Sequence, residues 1–324
     1  MDEFELIRSL ASRLSPPSAD VLTGIGDDAA VVRFHGGKLL VTTDTMVEGI
    51  HFLESTITPH NLGYKALAVS ISDIAAMGGS PTVATVSIAI PPKWSFDAVG
   101  LIYDGFNEIG QQYGCDVVGG DVVAIDGPLV VTTTVLGRAE TPVLRSGAAP
   151  GDILFVTGSL GGSAAGLEVL LGQARATPVS QAILVNRHQR PQPRVTVGML
   201  AANAGVSALN DISDGLASEL HEVAGASSVR CVIEADLIPI LPEAKEQGRA
   251  MGKSALDYAL YGGEDFELVG AAPRHAFARL LASAGSTGVP ITAIGRCEEG
   301  DGVVMRTAGH LEVIEPRGYN HFKR

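Results

Sequence analysis

Carboxylates recur along this chain beside Gly, Ser and Thr: Asp27 and Asp28 in "GDD", Asp44 in "TTD", Asp73 in "SD", Asp121 in "GGD", Asp211 and Asp214 in "NDISDG", and Glu264 and Asp265 in "GGED". Any one of them alone is ordinarily a helix cap or a turn residue. Together they form a candidate site for hard cations, because oxygen donors next to backbone that glycine lets approach closely suit Mg2+ above all. Asp73 sharpens the point. It lies in an otherwise apolar helical stretch, where an unpaired buried charge is costly, so a cation or a strong donor should stand beside it. No His/Cys cluster accompanies these acids, which argues against structural zinc. An acidic site that holds several magnesium ions can in turn hold a polyphosphate.

Three glycine-containing segments imitate phosphate loops. "GIGDDA" has the G-x-G-x-x-A spacing, but the strand-like "AAVVRF" follows where a helix should begin, and two carboxylates would repel a pyrophosphate. "GIGDDAAVV" therefore reads as a grip on metal. "MGKS" at 251–254 resembles the end of a P-loop, yet Gln247 occupies the position of its first glycine. "GSLGGSAAG" at 158–166 sits between a strand and a helix; it is either an anion site made of free amides or a tight turn.

The elements that must position the acids are legible from periodicity. "KLLVTTDTMV" and "PTVATVSIAI" read as strands, and "NLGYKALAVSISDIAAMGG" between them as a helix with a glycine stop. Residues 96–113 are a second helix, and "CDVVGGDVVAI" and "PLVVTTTVLG" read as strands joined in a hairpin through "DG". Residues 139–151 carry two prolines and little periodicity, and mark a domain boundary. Beyond it "DILFVTGS", "VSALNDIS", "FELVGAA" and "PITAIGRC" read as strands. "GGSAAGLEVLL", residues 194–204, "DGLASELHEVAG" and "RHAFARLLASAG" read as helices, giving an α/β or α+β pattern.

At 324 residues the chain suits about two domains, and 46% hydrophobic content suffices for packed cores. The formal charge of −13 disfavours nucleic acid and anionic membranes as partners. Anionic substrates would need cations to mediate. Cys115, Cys231 and Cys297 fit neither a CxxC motif nor a disulfide framework, so a reducing cytoplasm is expected. The amphipathic start shows no secretory pattern, and no run approaches a membrane span.

Eight segments, "GIGDDAAV", "TTDTMVEGIHF", "KALAVSISDIAAMGGSP", "GGD", "RSGAAPGD", "SDGL", "YGGEDFEL" and "GYNHF", occur in this order along nearly the whole chain. Together they resemble the bacterial thiamine-monophosphate kinase family. The resemblance implies an α/β (α+β) PurM-like fold: an ATP- and Mg-binding domain at 1–138 whose strands pair in a homodimer, a linker at 139–151, and an α+β domain at 152–324. It implies transfer of the ATP γ-phosphoryl group to thiamine phosphate, the final step of thiamine diphosphate synthesis. By motif position it implies metal ligation by Asp28, Thr42, Thr43, Asp44, Asp73, Asp121, Asp211 and Asp214, with Asp27 adjacent. Nucleotide contacts fall on Tyr103, Gly120, Asp121, Arg145 and Ser213, and acceptor contacts on His51, Glu264 and Tyr319, with catalysis resting on Asp73, Asp121 and Arg145. Ser70 stands where relatives often have Asn, and Val122 where they often have Thr.

The chemistry suits these residues. A phosphate monoester acceptor has a second pKa near ~6, so an ionised oxygen is present without a general base. The obstacle is repulsion between two anions, which Mg2+ held by aspartates offsets. Another ATP-dependent ligase or cyclase of the same superfamily could use the acidic nucleotide site; the joint presence of "VEGIHF" and "GYNHF", which resemble the thiamine kinase's acceptor pocket, favours the kinase.

Overall fold

The computed structural model describes residues 20–23, 26–34 and 37–319. The amphipathic start, Gly24 and Ile25, and residues 320–322 of "GYNHF" lie outside the described residues. Strands β1 (Val21–Thr23), β2 (Ala30–Phe34), β3 (Gly37–Val47), β4 (Ser80–Ile90), β5 (Asp116–Ala124) and β6 (Val130–Ala139) form one sheet in the order β1-β2-β3-β6-β4-β5. Only β4 and β5 run parallel, linked by the crossover helix that the periodicity of residues 96–113 predicts.

The expected "DG" hairpin does not form. β5 pairs with β4, while β6 passes to the other side of β4 and lies antiparallel to both β3 and β4. The side chains account for the difference. In β6 Val131, Thr133 and Val135 are buried, as a central strand requires, whereas Val118, Val122 and Asp121 of β5 are exposed, as on an edge.

Helix α1 (Pro59–Ala76) and helix α2 (Phe96–Tyr113) cover one face of this sheet. α1 starts on Thr58, whose hydroxyl accepts the Asn61 amide at 3.2 Å, with Pro59 in the first turn. α2 starts on Ser95 and stops at Gly114 in the left-handed conformation. The two helices touch through glycines: a Cβ at Gly105 would lie 2.0 Å from His60 O, and one at Gly63 1.8 Å from Ile102 O. On the opposite face Thr43, Thr45, Thr85 and Ser87 are exposed.

The second sheet holds β7 (Ile153–Thr157), β8 (Ala208–Asp211), β9 (Arg230–Glu234), β10 (Leu268–Ala272), β11 (Ile291–Glu298), β12 (Val303–Thr307) and β13 (His310–Val313), in the order β13-β12-β9-β11-β7-β10-β8. Around it lie α3 (Gly162–Glu168), α4 (Pro178–Gln189), α5 (Val195–Ala204), α6 (Leu216–Ser227), α7 (Pro242–Met251), α8 (Ala255–Tyr261) and α9 (Arg274–Ala284). "MGKS" ends α7 with Gly252 as its cap, and Lys253 pairs with Glu168. That is a helix-to-helix turn, not a P-loop.

α1 belongs to both halves. It packs on β3 and β6 below, on α2 beside it, and on α5 and β8 of the second half. Among the described residues no helix is long and apolar enough to cross a membrane. Gly105→Ala should destabilise the fold by about 1–3 kcal/mol, read as a lower urea midpoint at unchanged m-value. An unchanged midpoint would mean that α1 and α2 separate without penalty.

Candidate active site

Three acids from separate segments meet over α1. Oxygens of Asp28, Asp73 and Asp211 all lie within 4.8 Å of one another. Asp28 comes from the turn before β2, Asp73 from the last turn of α1, and Asp211 from the end of β8. Hydroxyls flank them: Thr42 donates to Asp73, and Ser72 Oγ donates to Asp211 Oδ2 at 2.6 Å. Asp44 takes a hydrogen bond from Ser70 Oγ at 2.8 Å, and Ser70 also lies 2.7 Å from Thr133 Oγ1. A serine at position 70 thus still reaches an acid.

Burial and mutual repulsion disfavour charge on this cluster. Burial, joined by the charges of Asp44, Asp211 and Asp28, raises the Asp73 carboxyl far above its ordinary range. Burial pushes Asp28 up to about 8 against the pull of Arg145, and Asp211 up to about 6 against the Ser72 hydrogen bond. Asp44 is raised by burial too. Asp28 Oδ2 is buried without a hydrogen-bond partner among the described residues. An orphaned carboxylate oxygen among acids that repel one another fits a hard cation, and the all-oxygen donor set fits magnesium.

Arg145 closes one side. Its guanidinium pairs with Asp28, its Nε donates to Asn210 Oδ1 at 3.1 Å, and its amide donates to Asp27 Oδ2 at 3.1 Å. Glu219, fully buried at the start of α6, gathers the "NDISDG" loop by accepting from Asn210 Nδ2 at 2.6 Å, Ser213 Oγ at 3.2 Å and the Asp214 amide at 3.0 Å. Asp214 and Ser213 therefore flank the cluster through Glu219.

The remaining expected residues fall in two other places. Thr43 points to the exposed sheet face, where its Oγ1 is 3.0 Å from Thr134 Oγ1. Asp121 lies on edge strand β5 in the exposed row Thr45–Thr132–Ser87–Asp121 and outside the three-acid cluster. Beside it, Tyr103 and Gly120 line one cleft of about 650 Å³ between α2 and β5. His51 and Tyr319 face each other with ring centroids 6.5 Å apart, and His51 is among the charges acting on Glu264. These three lie near one another, apart from the three-acid cluster.

The "YGGEDFEL" loop is tied to the acidic loop by its backbone. The Glu264 amide donates to Ser213 O at 2.6 Å and the Phe266 amide to Ile212 O at 2.9 Å. Glu264 and Phe266 both hold left-handed backbone, φ +66° and +49°, a strained conformation that tends to gather at functional sites. Asp265 takes the amides of Gly161 at 2.6 Å and Ser163 at 3.0 Å. The amides of Gly158, Leu160, Gly161 and Ser163 in "GSLGGSAAG" are thus taken by protein oxygens, and the segment forms a tight strand-to-helix turn.

Sequence reasoning missed Glu219, Asn210, Ser72, Lys65 and His188. Glu219 sits in the first turn of α6, where an acid is ordinary, so nothing in its surroundings along the chain marked it. Lys65 did offer a signal, as a lone cation inside the apolar run of "KALAVSIS".

The comparisons with known proteins agree with this architecture. The family model described as AIR synthase related protein, N-terminal domain, matches residues 26–139, and that for the C-terminal domain matches residues 149–307. The fold and its acidic cluster thus place the chain in the PurM-like class of two-domain AIR synthase related proteins. Within that class, thiamine-monophosphate kinase of Bacillus subtilis is 44% identical over the full length of both chains. A solved structure of AaThiL complexed with AMPPCP and TMP is 35% identical, with a TM-score of 0.87 over 99% of this chain and 97% of that one. Thiamine monophosphate kinase from Aquifex aeolicus superposes with a TM-score of 0.79 at 32% identity, over 94% and 98% of the two chains. The chain belongs to the thiamine-monophosphate kinase family.

A carboxyl whose pKa is raised by folding contributes stability that is complete below its unfolded value near ~4 and is lost as pH climbs through the folded value. The metal-free protein should therefore lose melting temperature as pH rises through about 6, for Asp211, and about 8, for Asp28. Asp73→Asn, which removes a carboxyl that folding keeps protonated and so removes its share of the pH dependence, should flatten that decline. A wild-type profile equally flat between pH 5 and 8.5 would show that the cluster carries no such repulsion.

Proposed function

We propose that this chain transfers the γ-phosphoryl group of ATP to thiamine phosphate, releasing thiamine diphosphate and ADP. The observation that carries the reading is the convergence of Asp28, Asp73 and Asp211 beside an orphaned buried oxygen, in a chain whose relatives are thiamine-monophosphate kinases. The complex of AaThiL with AMPPCP, an ATP analogue, and TMP supports the same pair of substrates here.

Asp28, Thr42, Asp44, Asp73, Asp211 and Asp214 are the proposed magnesium ligands at the cluster, and Thr43 and Asp121 extend the set from the sheet. Magnesium, when bound, offsets the repulsion between the two anionic substrates and charge on the transferring group. Arg145 offers a planar fork to nucleotide phosphates, with Ser213 at the neighbouring loop. Tyr103 and Gly120 take the nucleoside end in the α2–β5 cleft. At the acceptor end Tyr319 stacks on the cationic thiazolium, His51 contacts the phosphate or ring, and Glu264 accepts from the aminopyrimidine. No side chain need abstract a proton, because the attacking phosphate oxygen is already ionised at neutral pH.

A second copy of the chain is the proposed cover for the exposed sheet face and the β5 edge, where Val118 and Val122 are each 62% exposed. A monomeric mass by light scattering at assay concentration would remove that dimer.

ADP should form only when ATP, thiamine phosphate and Mg2+ are all present, matched by thiamine diphosphate. ADP without thiamine diphosphate would point instead to another acceptor chemistry. Asp121→Asn should lower kcat by about 10²-fold or more with the fold intact by circular dichroism, and a wild-type rate would strike Asp121 from the site.

A further inference from the structure

Lys65 is among the largest side chains that the described residues bury completely, at 1% exposure. An ammonium held among apolar neighbours is tolerated only with partners. Its partners come from the other half of the molecule: Nζ lies 3.0 Å from Glu264 Oε2 and 3.3 Å from His188 Nε2. The second nitrogen of that ring, Nδ1, lies 3.0 Å from Ser163 Oγ and 3.4 Å from Glu264 Oε2. A ring nitrogen facing an ammonium must accept, so the imidazole proton sits on Nδ1 and points toward Ser163 and the carboxylate. Burial first, then the Lys65 charge, lowers His188 to about 4 and keeps the ring neutral.

The same pair acts on Glu264. Burial alone would raise this carboxyl, but Lys65, then His188, hold it below its ordinary range. Both contacts fall on Oε2, one from α1 and one from α4, while the Glu264 backbone is fixed at φ +66° by its amide bond to Ser213 O. The side chain nevertheless keeps 30% exposure, and the charge of His51 acts on it. Lys65 and His188 thus hold the same oxygen.

We infer that Lys65 and His188 are positioning residues for the acceptor: they clamp Glu264 through Oε2 so that Oε1 meets the hydrogen-bond donor of the bound acceptor. The inference rests on the reading of Glu264 as an acceptor contact. It adds two residues that touch neither substrate, and it makes the acceptor pocket depend on contact between the two halves of the fold.

A double-mutant cycle tests it, with steady-state kinetics in thiamine phosphate at saturating ATP and Mg2+. Glu264→Gln and Lys65→Met should each raise the acceptor KM about 10-fold or more, with the ATP KM changed less than about 2-fold. Because Lys65 acts through Glu264, the double variant should match Glu264→Gln alone. His188→Leu should raise the acceptor KM, and His188→Gln, which can still accept from Lys65 and donate to Glu264, should recover most of it. A merely structural role would lower the melting temperature and weaken ATP and acceptor alike. Effects that multiply in the double variant, or an unchanged acceptor KM in Lys65→Met, overturn the inference. Should Lys65→Met fail to fold, His188→Leu combined with Glu264→Gln gives an equivalent cycle with the same expected outcome. If Glu264→Gln leaves the acceptor KM unchanged, the reading of Glu264 itself falls; if it raises KM while Lys65→Met and His188→Leu do not, only the positioning role falls.

Discussion

Everything in this molecule is arranged around an unfavourable contact, three carboxylates within 4.8 Å of one another. Such a contact persists because each acid is delivered by a different segment and held by its own donors: Thr42 for Asp73, Ser72 for Asp211, Arg145 for Asp28. Local stability is given up for affinity toward positive charge, which is the exchange expected at a binding site. The hydroxyl donors are neutral, so they orient the acids without neutralising them.

α1 makes the arrangement possible. Its burial on nearly every side leaves one stripe for polar work, and Lys65, Ser72 and Asp73 lie along it within little more than two turns, a rise of about 12 Å from Lys65 to Asp73. The Lys65–Glu264 contact and the three-acid cluster are therefore spaced by a single helix.

Much of this was legible in the sequence, and for physical reasons. The acids announced themselves because Asp next to Gly, Ser and Thr at element ends is a repeated pattern, and the helices within 61–79 and over 96–113 followed from apolar periodicity, the first with a glycine stop. The "DG" turn misled, since a local turn signal says nothing of which strand the chain passes next, and pairing is decided by long-range burial. Thr42 and Thr43 show how a strand divides adjacent motif residues: Thr42 turns inward to Asp73, while Thr43 lies on the exposed face. Glu219 and His188 were invisible because each is an ordinary helical residue until another element docks against it.

The insertion of β6 between β3 and β4 has a bearing on biosynthesis. The last strand of its sheet to be made is one of the most central, so β3 and β4 wait without their shared neighbour while the intervening residues emerge from the ribosome. The hydroxyl of Thr133, which meets both Ser70 and the Ala66 carbonyl, arrives with that strand. A nascent chain therefore cannot assemble its acidic cluster early, since Asp211 is made later still.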